Sequence, residues 1–436
     1  MRKRFERVVI ILICCMLCHF WGGSATAAPD SDEVKIGVIL PLTGPQAPIG
    51  REVLRGIELA TEMVNDMGGI WNGKNIYLLT GDAANAESAR TETERLITVE
   101  KVKLLIGVYS SSLAFVVHPI ADKYNAVFWE TNAIADRLRQ MGHENTYFFG
   151  PMASGWGEQA ADCVVELMAP KLNMDPKDIK IAVVYQGTEW GKSLSHDGFI
   201  KRAKELGLNI VIDAPYDPNS MNFSSLILKI KRTNPDIVHT QNYLDDGYRL
   251  FRDARKNGLN PKIWVADGCP WAYVAEAFQK FGTDMNYVID LNQVGGGIQN
   301  LSPTVQSQYK EFLDRYQKKY KTTVSAASDV VIGYSSAMAL YEYVLPEAGS
   351  LDPERIKKVA TDISLPATAT VRPGGIKFDP NTGQNTRAGV VARQIFNKQY
   401  YAVWPKAAAE LDAILPIPPF GERAIDQQEV DKRLIK

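Results

Sequence analysis

The stretch YQGTEWGKS, residues 185–193, contains the Gly-Lys-Ser triplet of a nucleotide-binding loop and follows the apolar run IAVV. Such a loop needs four residues between its first glycine and the Gly-Lys pair, because its backbone N–H groups must surround a phosphate. Gly187 and Gly191 enclose only three residues, and Gln186 occupies the required glycine position. The spacing therefore argues against phosphate binding at this turn.

Polar residues also follow two other predicted strands. Ser110, Ser111 and Ser112 come after KLLIGVY and open a helical pattern, so their hydroxyls lie beside unsatisfied N–H groups and the positive end of the helix dipole. A carboxylate binds well there, whereas a simple helix cap needs only one hydroxyl. Asp267 follows the strand pattern KIWVA, where open α/β sheets place ligands, although a single acid is often only solvated. We expect both positions to contact a ligand.

Metal and enzyme chemistry find little support in the sequence. The histidines beyond residue 27 are isolated, with no second His or Cys at metal-ligand spacing. There is no G-x-S-x-G nucleophile motif, and no histidine is arranged as a partner for the serine run. We therefore expect no metal, no cofactor and no enzymatic activity.

The first 27 residues have the three parts of a secretory signal peptide. MRKRFER carries four basic residues, VVIILICCMLC is apolar, and ATA offers small residues before the cleavage site. The apolar run is too short to span a bilayer, which makes a membrane anchor the weaker alternative. A lipid anchor on Cys14, Cys15 or Cys18 is a further alternative. We expect cleavage after residue 27 and a periplasmic protein.

Charge and cysteine content narrow the class of protein further. Cleavage would remove four of the 49 Lys and Arg residues and one of the 50 Asp and Glu residues, which leaves a net charge of −4. A mildly acidic chain lacks the basic surface that nucleic-acid binding requires. Cys163 and Cys269 would remain, either as one disulfide bond or, as we favour, as two free thiols.

Strand and helix patterns alternate along most of the chain. VKIGVIL, IYLLT, KLLIGV and AVFWET predict strands, and apolar residues at steps of three and four from Val53 to Met67 predict a helix between the first two. The alternation starts again after residue 153 with IKIAVVY, NIVIDAP, DIVHTQ and KIWVA. This order favours two parallel sheets with helices on both faces. Beyond residue 300 we expect two consecutive helices, a late β-hairpin and an irregular tail over residues 406–436.

Four blocks of sequence carry a family resemblance: VKIGVILPLTGPQAPIGREVLRGIELATEMVNDMGGI, LLIGVYSSS, VVYQGTEWGKS and YYAVWP. They resemble the leucine/isoleucine/valine-binding family of periplasmic solute receptors, which serve ABC transporters of the branched-chain amino acid class. The resemblance covers residues 34–405 and implies two doubly wound α/β lobes of the type I periplasmic binding protein fold, joined by three crossovers. Residues 33–150 with 292–365 are expected to form the N-terminal lobe, and residues 151–291 with 366–405 the C-terminal lobe.

The resemblance also implies roles for individual residues. Ser111 matches the hydroxyl that binds a ligand carboxylate, and Asp267 matches the acid that receives the ammonium group. We expect neighbouring groups of the first lobe to complete the carboxylate site and the second lobe to close over the other end of the ligand. Trp190 would form an aromatic lid there, with a core aromatic as the alternative. The predicted ligand-binding residues are Ser111, Ser112, Ala133, Trp190, Asn242 and Asp267.

Three departures from the family pattern affect the predicted ligand. The family's second carboxylate-binding hydroxyl falls near Ala135 and is therefore missing, unless Thr131 or Asn132 substitutes for it. A tyrosine of the first loop is Ile49, and another tyrosine is Asn242, unless the neighbouring Tyr243 takes its place. A branched-chain or related amino acid is the favoured solute, with an aromatic acid or an amide as the alternative. We expect a monomeric receptor that binds a small solute and docks on a membrane permease. A sensory receptor that signals to a partner protein is the rival interpretation.

Overall fold

The computed structural model describes residues 33–267, 274–323 and 329–435. Short apolar runs in this part of the chain form strands that are buried on both faces, as LLIG and IWVAD show. The strands are β1 (Glu33–Leu40), β2 (Asn75–Asp82), β3 (Leu104–Gly107), β4 (Val127–Glu130), β5 (Thr146–Phe148), β6 (Lys180–Gln186), β7 (Asn209–Tyr216), β8 (Ile237–Gln241), β9 (Ile263–Asp267), β10 (Ile289–Asn292), β11 (Val391–Phe396) and β12 (Gln399–Trp404).

Helices connect most of these strands, and capping side chains mark several of their starts. Asn85 accepts hydrogen bonds from the N–H groups of Glu87 and Ser88 at the start of the helix Ala86–Thr98. Three of the helices include a π-helical stretch. The helices are α1 (Ala47–Asp66), α2 (Ala86–Thr98), α3 (Ser111–Lys123), α4 (Ala153–Cys163, continued by Val164–Met168 and Ala169–Leu172), α5 (Glu189–Gly191, continued by Lys192–Ile200 and Lys201–Glu205), α6 (Ser224–Arg232), α7 (Leu244–Lys256), α8 (Val274–Phe281), α9 (Pro303–Tyr320), α10 (Asp329–Ala339, continued by Leu340–Val344 and Leu345–Ala348), α11 (Pro353–Asp362) and α12 (Gln427–Asp431).

The strands form two separate sheets. The first has the order β2-β1-β3-β4-β5, and all its pairs are parallel. The second has the order β12-β11-β10-β9-β8-β6-β7. Its pairs from β10 to β7 are parallel, whereas the β10–β11 and β11–β12 pairs are antiparallel. The strand order reverses between β1 and β3 and again between β6 and β8. At such reversals the loops at the carboxyl ends diverge and leave a crevice.

The two sheets confirm the predicted fold of two doubly wound α/β lobes. Within the described residues the chain passes between the lobes three times: after β5, after β10 and before β11. The sequence places residues 366–405 in the C-terminal lobe. In the structure, however, Gln384 bridges to Phe148 of the first sheet, and Phe378 packs on Trp129. The proposed lobe boundaries stay a prediction. The predicted signal peptide at residues 1–27 lies outside the described residues.

Two glycines allow α1 and α10 to pack with their backbones in contact. A Cβ atom on Gly56 would lie 2.0 Å from the carbonyl oxygen of Val330, and a Cβ atom on Gly333 would lie 2.0 Å from that of Val53. No side chain fits in such a gap, because the obstructing atoms belong to the backbone. This contact fixes α10 on the first lobe although it comes late in the sequence.

Replacing Gly56 with alanine is expected to lower the free energy of unfolding by about 2–3 kcal/mol, because the added methyl group must push the two helices apart. Gly155 in α4 provides the control, since a Cβ atom there meets nothing within 4 Å. Alanine at position 155 should leave stability unchanged or raise it by up to about 1 kcal/mol. Denaturant unfolding followed by circular dichroism measures both changes, and equal midpoints for the two variants would contradict the packing argument.

The end of the chain packs against the second lobe. The predicted irregular tail contains the short helix α12, but most of it lacks regular structure. It nevertheless buries Leu411, Ile417 and Val430, and Arg423 donates hydrogen bonds to the carbonyl oxygens of Pro418 and Asp284. The tail is therefore part of the folded body of the second lobe.

None of the helices in the described ranges combines the length and the apolar composition that crossing a membrane requires.

Cys163 is a free thiol within α4 and is fully buried. Burial raises the pKa of this thiol well above its ordinary value, which disfavours the reactive thiolate. Cys269 lies outside the described residues. The structure thus gives the thiol state of one of the two cysteines.

Candidate functional site

A cleft with a volume of about 520 Å³ lies between the two lobes. Its first-lobe wall comes from the loops after β1 and β2 and from the start of α3. Its second-lobe wall comes from the loops after β6, β7 and β8 and from the first turns of α7. The two lobes also meet where Arg137 Nη1 of the first lies 3.8 Å from Glu189 Oε1 of the second. Both walls lie at the carboxyl ends of strands beside a reversal of strand order, the position where open α/β sheets bind ligands.

The three serines of the run after β3 have different environments. Ser111 is buried, and its Oγ accepts hydrogen bonds from the N–H groups of Ile134 and Ala135 at 3.2 and 3.1 Å. Ser112 is exposed and lines the cleft, and its Oγ lies 3.1 Å from that of Ser110, which also lines the cleft. Of the two predicted serines, the structure therefore places Ser112 on the cleft wall and Ser111 behind it.

The N-terminus of α3 brings an electrostatic preference to this wall. Its first N–H groups have no partners within the helix, and the aligned peptide dipoles give this end a partial positive charge. The Ser110 side chain makes no capping hydrogen bond to the helix. The start of α3 together with the hydroxyls of Ser110 and Ser112 can therefore accept the negative end of a solute.

A buried carboxylate, Glu130, holds the loops behind this wall. It lies at the end of β4 with 1% of its surface exposed, and its oxygens accept hydrogen bonds at 2.8–3.2 Å from four backbone N–H groups. A fifth contact joins Glu130 Oε2 to His118 Nε2 at 2.9 Å. The four N–H groups belong to Val108, Tyr109, Asn132 and Ala133. The N–H of Ala133, predicted to face a ligand, is thus directed to Glu130 in this structure.

An aromatic pair forms part of the second-lobe wall. Tyr243 lines the cleft, and the Trp190 ring stacks on it with 4.3 Å between centroids and an interplanar angle of 23°. Trp190 itself is 5% exposed and is not among the lining residues. Gly191, in the first turn of α5, allows close contact with the end of β6, because a Cβ atom there would lie 2.0 Å from the carbonyl oxygen of Gln186. The YQGTEWGKS turn therefore supplies cleft residues and an aromatic support.

Asp246 is a cleft residue that the sequence analysis missed. It lies in the first turn of α7 and is 3% exposed, and its Oδ2 accepts hydrogen bonds from Tyr216 Oη at 2.6 Å and Gln186 Nε2 at 2.8 Å. Burial raises its pKa to about 6, although these two hydrogen bonds act in the opposite direction. The acidic pair at the start of a helix after β8 was the available signal. Asp246 gives the second wall a polar group that can receive a donor from a solute.

The remaining predicted residues lie deeper in the second lobe. Asn242 and Asp267 are both fully buried, and neither lines the cleft. Asp267 Oδ2 lies 2.9 Å from Nε2 of His239, whose ring stacks on Phe199. Their roles toward a solute stay predictions. Within the described ranges, no group of three or more His, Cys, Asp or Glu residues is arranged to hold a metal ion.

Replacing Asp246 with asparagine is expected to reduce the dependence of stability on pH. The pKa of about 6 in the folded state exceeds the ordinary value of 3.8, so the folded protein binds this proton more tightly than the unfolded chain does. The resulting stabilisation is complete below about pH 4 and is lost as the pH rises through about 6. Between about pH 4 and pH 8, wild type should therefore lose roughly 2–3 kcal/mol more stability than Asp246→Asn.

Urea unfolding at a series of pH values measures this difference. Asp245→Asn is the matched control, because the neighbouring Asp245 side chain is 69% exposed and forms a surface pair with Arg249. Its stability should follow the wild-type pH profile. A profile for Asp246→Asn that runs parallel to that of wild type would show that Asp246 does not hold the extra proton.

Comparisons with known proteins agree with this architecture. A family model described as periplasmic binding protein matches residues 33–399. The Leu/Ile/Val-binding protein homolog 7 of Brucella suis is 31% identical over 396 residues, which cover 90% of this chain and 96% of the relative. A leucine-binding protein from Thermotoga maritima has a TM-score of 0.70 at 23% identity, and the match covers 85% of this chain and 97% of that one. A solute-binding protein of an ABC transporter from Rhodopseudomonas palustris, in complex with p-hydroxybenzoic acid, has a TM-score of 0.70 at 17% identity, covering 88% and 98%.

Two α/β lobes around a cleft define a receptor of the two-lobed, solute-binding class. The chain belongs to the periplasmic binding protein family, as the match over residues 33–399 and the 31% identical relative show. This confirms the resemblance that the sequence blocks indicated. The family is one of solute-binding receptors.

Proposed function

We propose that this protein is the extracytoplasmic solute receptor of an ABC importer, exported through a cleavable signal peptide. A small carboxylate-bearing solute binds in the cleft between its lobes and is delivered to a membrane permease. The observation that carries this proposal is the cleft of about 520 Å³ with walls from both lobes. Its volume lies in the range of small-molecule sites, about 300–1,000 Å³.

An amino acid with an apolar side chain is the favoured solute. Its carboxylate lies at the start of α3 beside Ser110 and Ser112, where N–H groups and hydroxyls favour negative charge. Ile49 and Leu113 supply apolar surface on the same wall. Ser111 takes part by positioning these groups, since its Oγ joins the start of α3 to the loop after β4. Ala133 takes part through its N–H group, which donates to Glu130 at the end of β4.

The nitrogen of the solute has two candidate acceptors. We favour Asp246, because it lines the cleft and a positively charged donor would stabilise its ionised form. Asp267, which the family resemblance indicated, is fully buried beside His239 and is the alternative. Asn242 lies next to Tyr243 and supports this wall. Affinities of the Asp246→Asn and Asp267→Asn variants for an amine-bearing solute decide between them, with a roughly tenfold loss expected for Asp246→Asn.

An aromatic acid is the second candidate solute. The stacked pair of Tyr243 and Trp190 offers a flat surface at the cleft, and flat rings pack well on such a surface. The Rhodopseudomonas palustris relative holds p-hydroxybenzoic acid. This candidate keeps the same carboxylate position at α3 and needs no ammonium acceptor.

A thermal-shift screen of the purified protein tests the proposal and separates the two candidates. Amino acids, aromatic acids and amides are added singly at millimolar concentration. A solute that binds only the folded state and is present at about 100 times its Kd should raise the free energy of unfolding by about 2.7 kcal/mol. We expect a rise in Tm with at least one carboxylate-bearing compound and none with its amide. No shift with any of the three classes would refute the proposed solute class.

A further inference from the structure

Strands β10 and β11 carry a buried ion pair beside two of the crossovers between the lobes. They pair antiparallel with Asp290 opposite Arg393, and Arg393 Nε donates to Asp290 Oδ2 at 3.0 Å. Both side chains are buried, and the guanidinium carbon of Arg393 lies 4.0 Å from the centroid of the Tyr400 ring. The chain leaves the second lobe after β10 and returns before β11. The pair therefore belongs to the second lobe and lies next to the hinge that these two crossovers form.

A further acid reaches this ion pair from the first lobe. Asp329 begins α10, the helix that packs on α1, and it is 1% exposed. Tyr109, which follows β3, donates its hydroxyl to Asp329 Oδ1 at 3.0 Å. The charges of Asp290 and Arg393 both act on the ionisation of Asp329. A carboxyl group of one lobe therefore lies near an ion pair of the other.

Asp329 is the acid of this group that has no cation of its own in the described part of the chain. Asp290 forms its ion pair with Arg393. Glu52 of α1, whose charge also acts on Asp329, forms one with Arg55. Among the described residues, nothing donates a hydrogen bond to Asp329 Oδ2. A buried carboxylate without a counterion is costly, so the protonated form of Asp329 is favoured where the lobes meet.

The titratable groups around Asp329 act in both directions. Burial raises the pKa of Asp329 from 3.8 to about 7, and the nearby carboxylates add to this effect. The Tyr109 hydroxyl and the Arg393 charge lower the pKa but do not outweigh burial. The preceding residues 324–328, VSAAS, have no titratable side chain. The titratable groups that interact with Asp329 come from five parts of the fold: Glu52 of α1, Tyr109 after β3, Asp290 of β10, Arg393 of β11 and Tyr400 of β12.

We propose that Asp329 couples closure of the two lobes to the uptake of a proton from solvent. Closure places Asp329 against the ion pair of the other lobe and removes it from water, whereas opening returns it to water. The closed state therefore holds the proton more tightly than the open state does. The resulting contribution to closure is complete below about pH 4, where both states are protonated, and it is lost as the pH rises through about 7. This coupling does not depend on which solute the cleft binds.

Small-angle X-ray scattering of the solute-free mature protein at pH 5 and pH 8, at constant ionic strength, tests the proposal. We expect the ratio of closed to open protein to be at least about tenfold higher at pH 5, with a smaller radius of gyration. Asp329→Asn has an uncharged side chain of the same size, so its radius should stay at the pH 5 value of wild type. Asp314→Asn is the matched control, because Asp314 is an exposed acid of α9, and its radius should follow that of wild type.

Tyr109→Phe gives a second readout with a direction of its own. It removes the hydroxyl that stabilises the ionised carboxylate, so the midpoint of the change in radius should move to higher pH. Circular dichroism shows whether each variant is folded, and the two wild-type measurements carry the test if Asp329→Asn is not. Equal wild-type radii at pH 5 and pH 8 would overturn the proposal. A pH-dependent radius that persists in Asp329→Asn would also overturn it, because another group, such as Asp246 of the cleft wall, would then hold the proton.

Discussion

Replacing Glu130 with alanine is expected to lower the free energy of unfolding by about 3–5 kcal/mol. The carboxylate accepts four backbone hydrogen bonds and contacts His118. Only 1% of the Glu130 surface is exposed to solvent. Without it, four buried N–H groups and an imidazole lose their partner, and each buried unsatisfied group costs about 1–3 kcal/mol before the structure relaxes. Both loops that hold the first-lobe wall should loosen as a result.

Guanidinium chloride unfolding followed by circular dichroism measures this loss. Glu144→Ala is the matched control, because Glu144 is an exposed glutamate on the connection between β4 and β5. Its effect should stay within about 0.5 kcal/mol. If Glu130→Ala unfolded at the same denaturant concentration as Glu144→Ala, the carboxylate would not organise these loops.

Replacing Ser112 with tryptophan is expected to weaken solute binding in the cleft by roughly 100-fold or more. Ser112 lies in the first turn of α3 and is exposed on the cleft wall. An indole at this position occupies the space beside the helix N-terminus where the carboxylate binds, and it removes a hydroxyl. The fold should remain intact, because the changed side chain points into open space and not into the core.

Calorimetry with the solute found by thermal shift measures this effect. Lys123→Trp places the same side chain at the exposed C-terminal end of the same helix, away from the cleft. This control should keep the wild-type affinity. An affinity of Ser112→Trp within threefold of wild type would contradict the placement of the solute at the start of α3.

Local patterns predicted the strands and helices of this protein well. The run KLLIGVYSSSLAF became β3, a serine turn and α3, since an apolar run followed by hydroxyls and a helical repeat has few other solutions. Gly187 and Gly191 had the wrong spacing for a phosphate loop, and the structure gives Gly191 a different purpose, close contact with the Gln186 carbonyl.

Contacts between distant segments limited the prediction of the site. Which serine faces the cleft depends on where the loop after β4 meets the run, and that loop approaches Ser111. The sequence gives no signal for the role of Glu130 beyond its place at the end of a strand. Its four N–H partners come from two turns that are far apart in the chain. Gln384 bridges to Phe148 of β5 from more than 200 residues away, a contact that no local pattern could indicate.

The central claim is that a carboxylate-bearing solute lies between the lobes and contacts both. A crystal structure of the protein with the solute found by thermal shift tests this most directly. The account predicts solute density in the cleft, with the carboxylate beside Ser112 at the start of α3 and the other end toward Tyr243 and Asp246. Density for the solute outside the cleft, or contact with one lobe only, would contradict it.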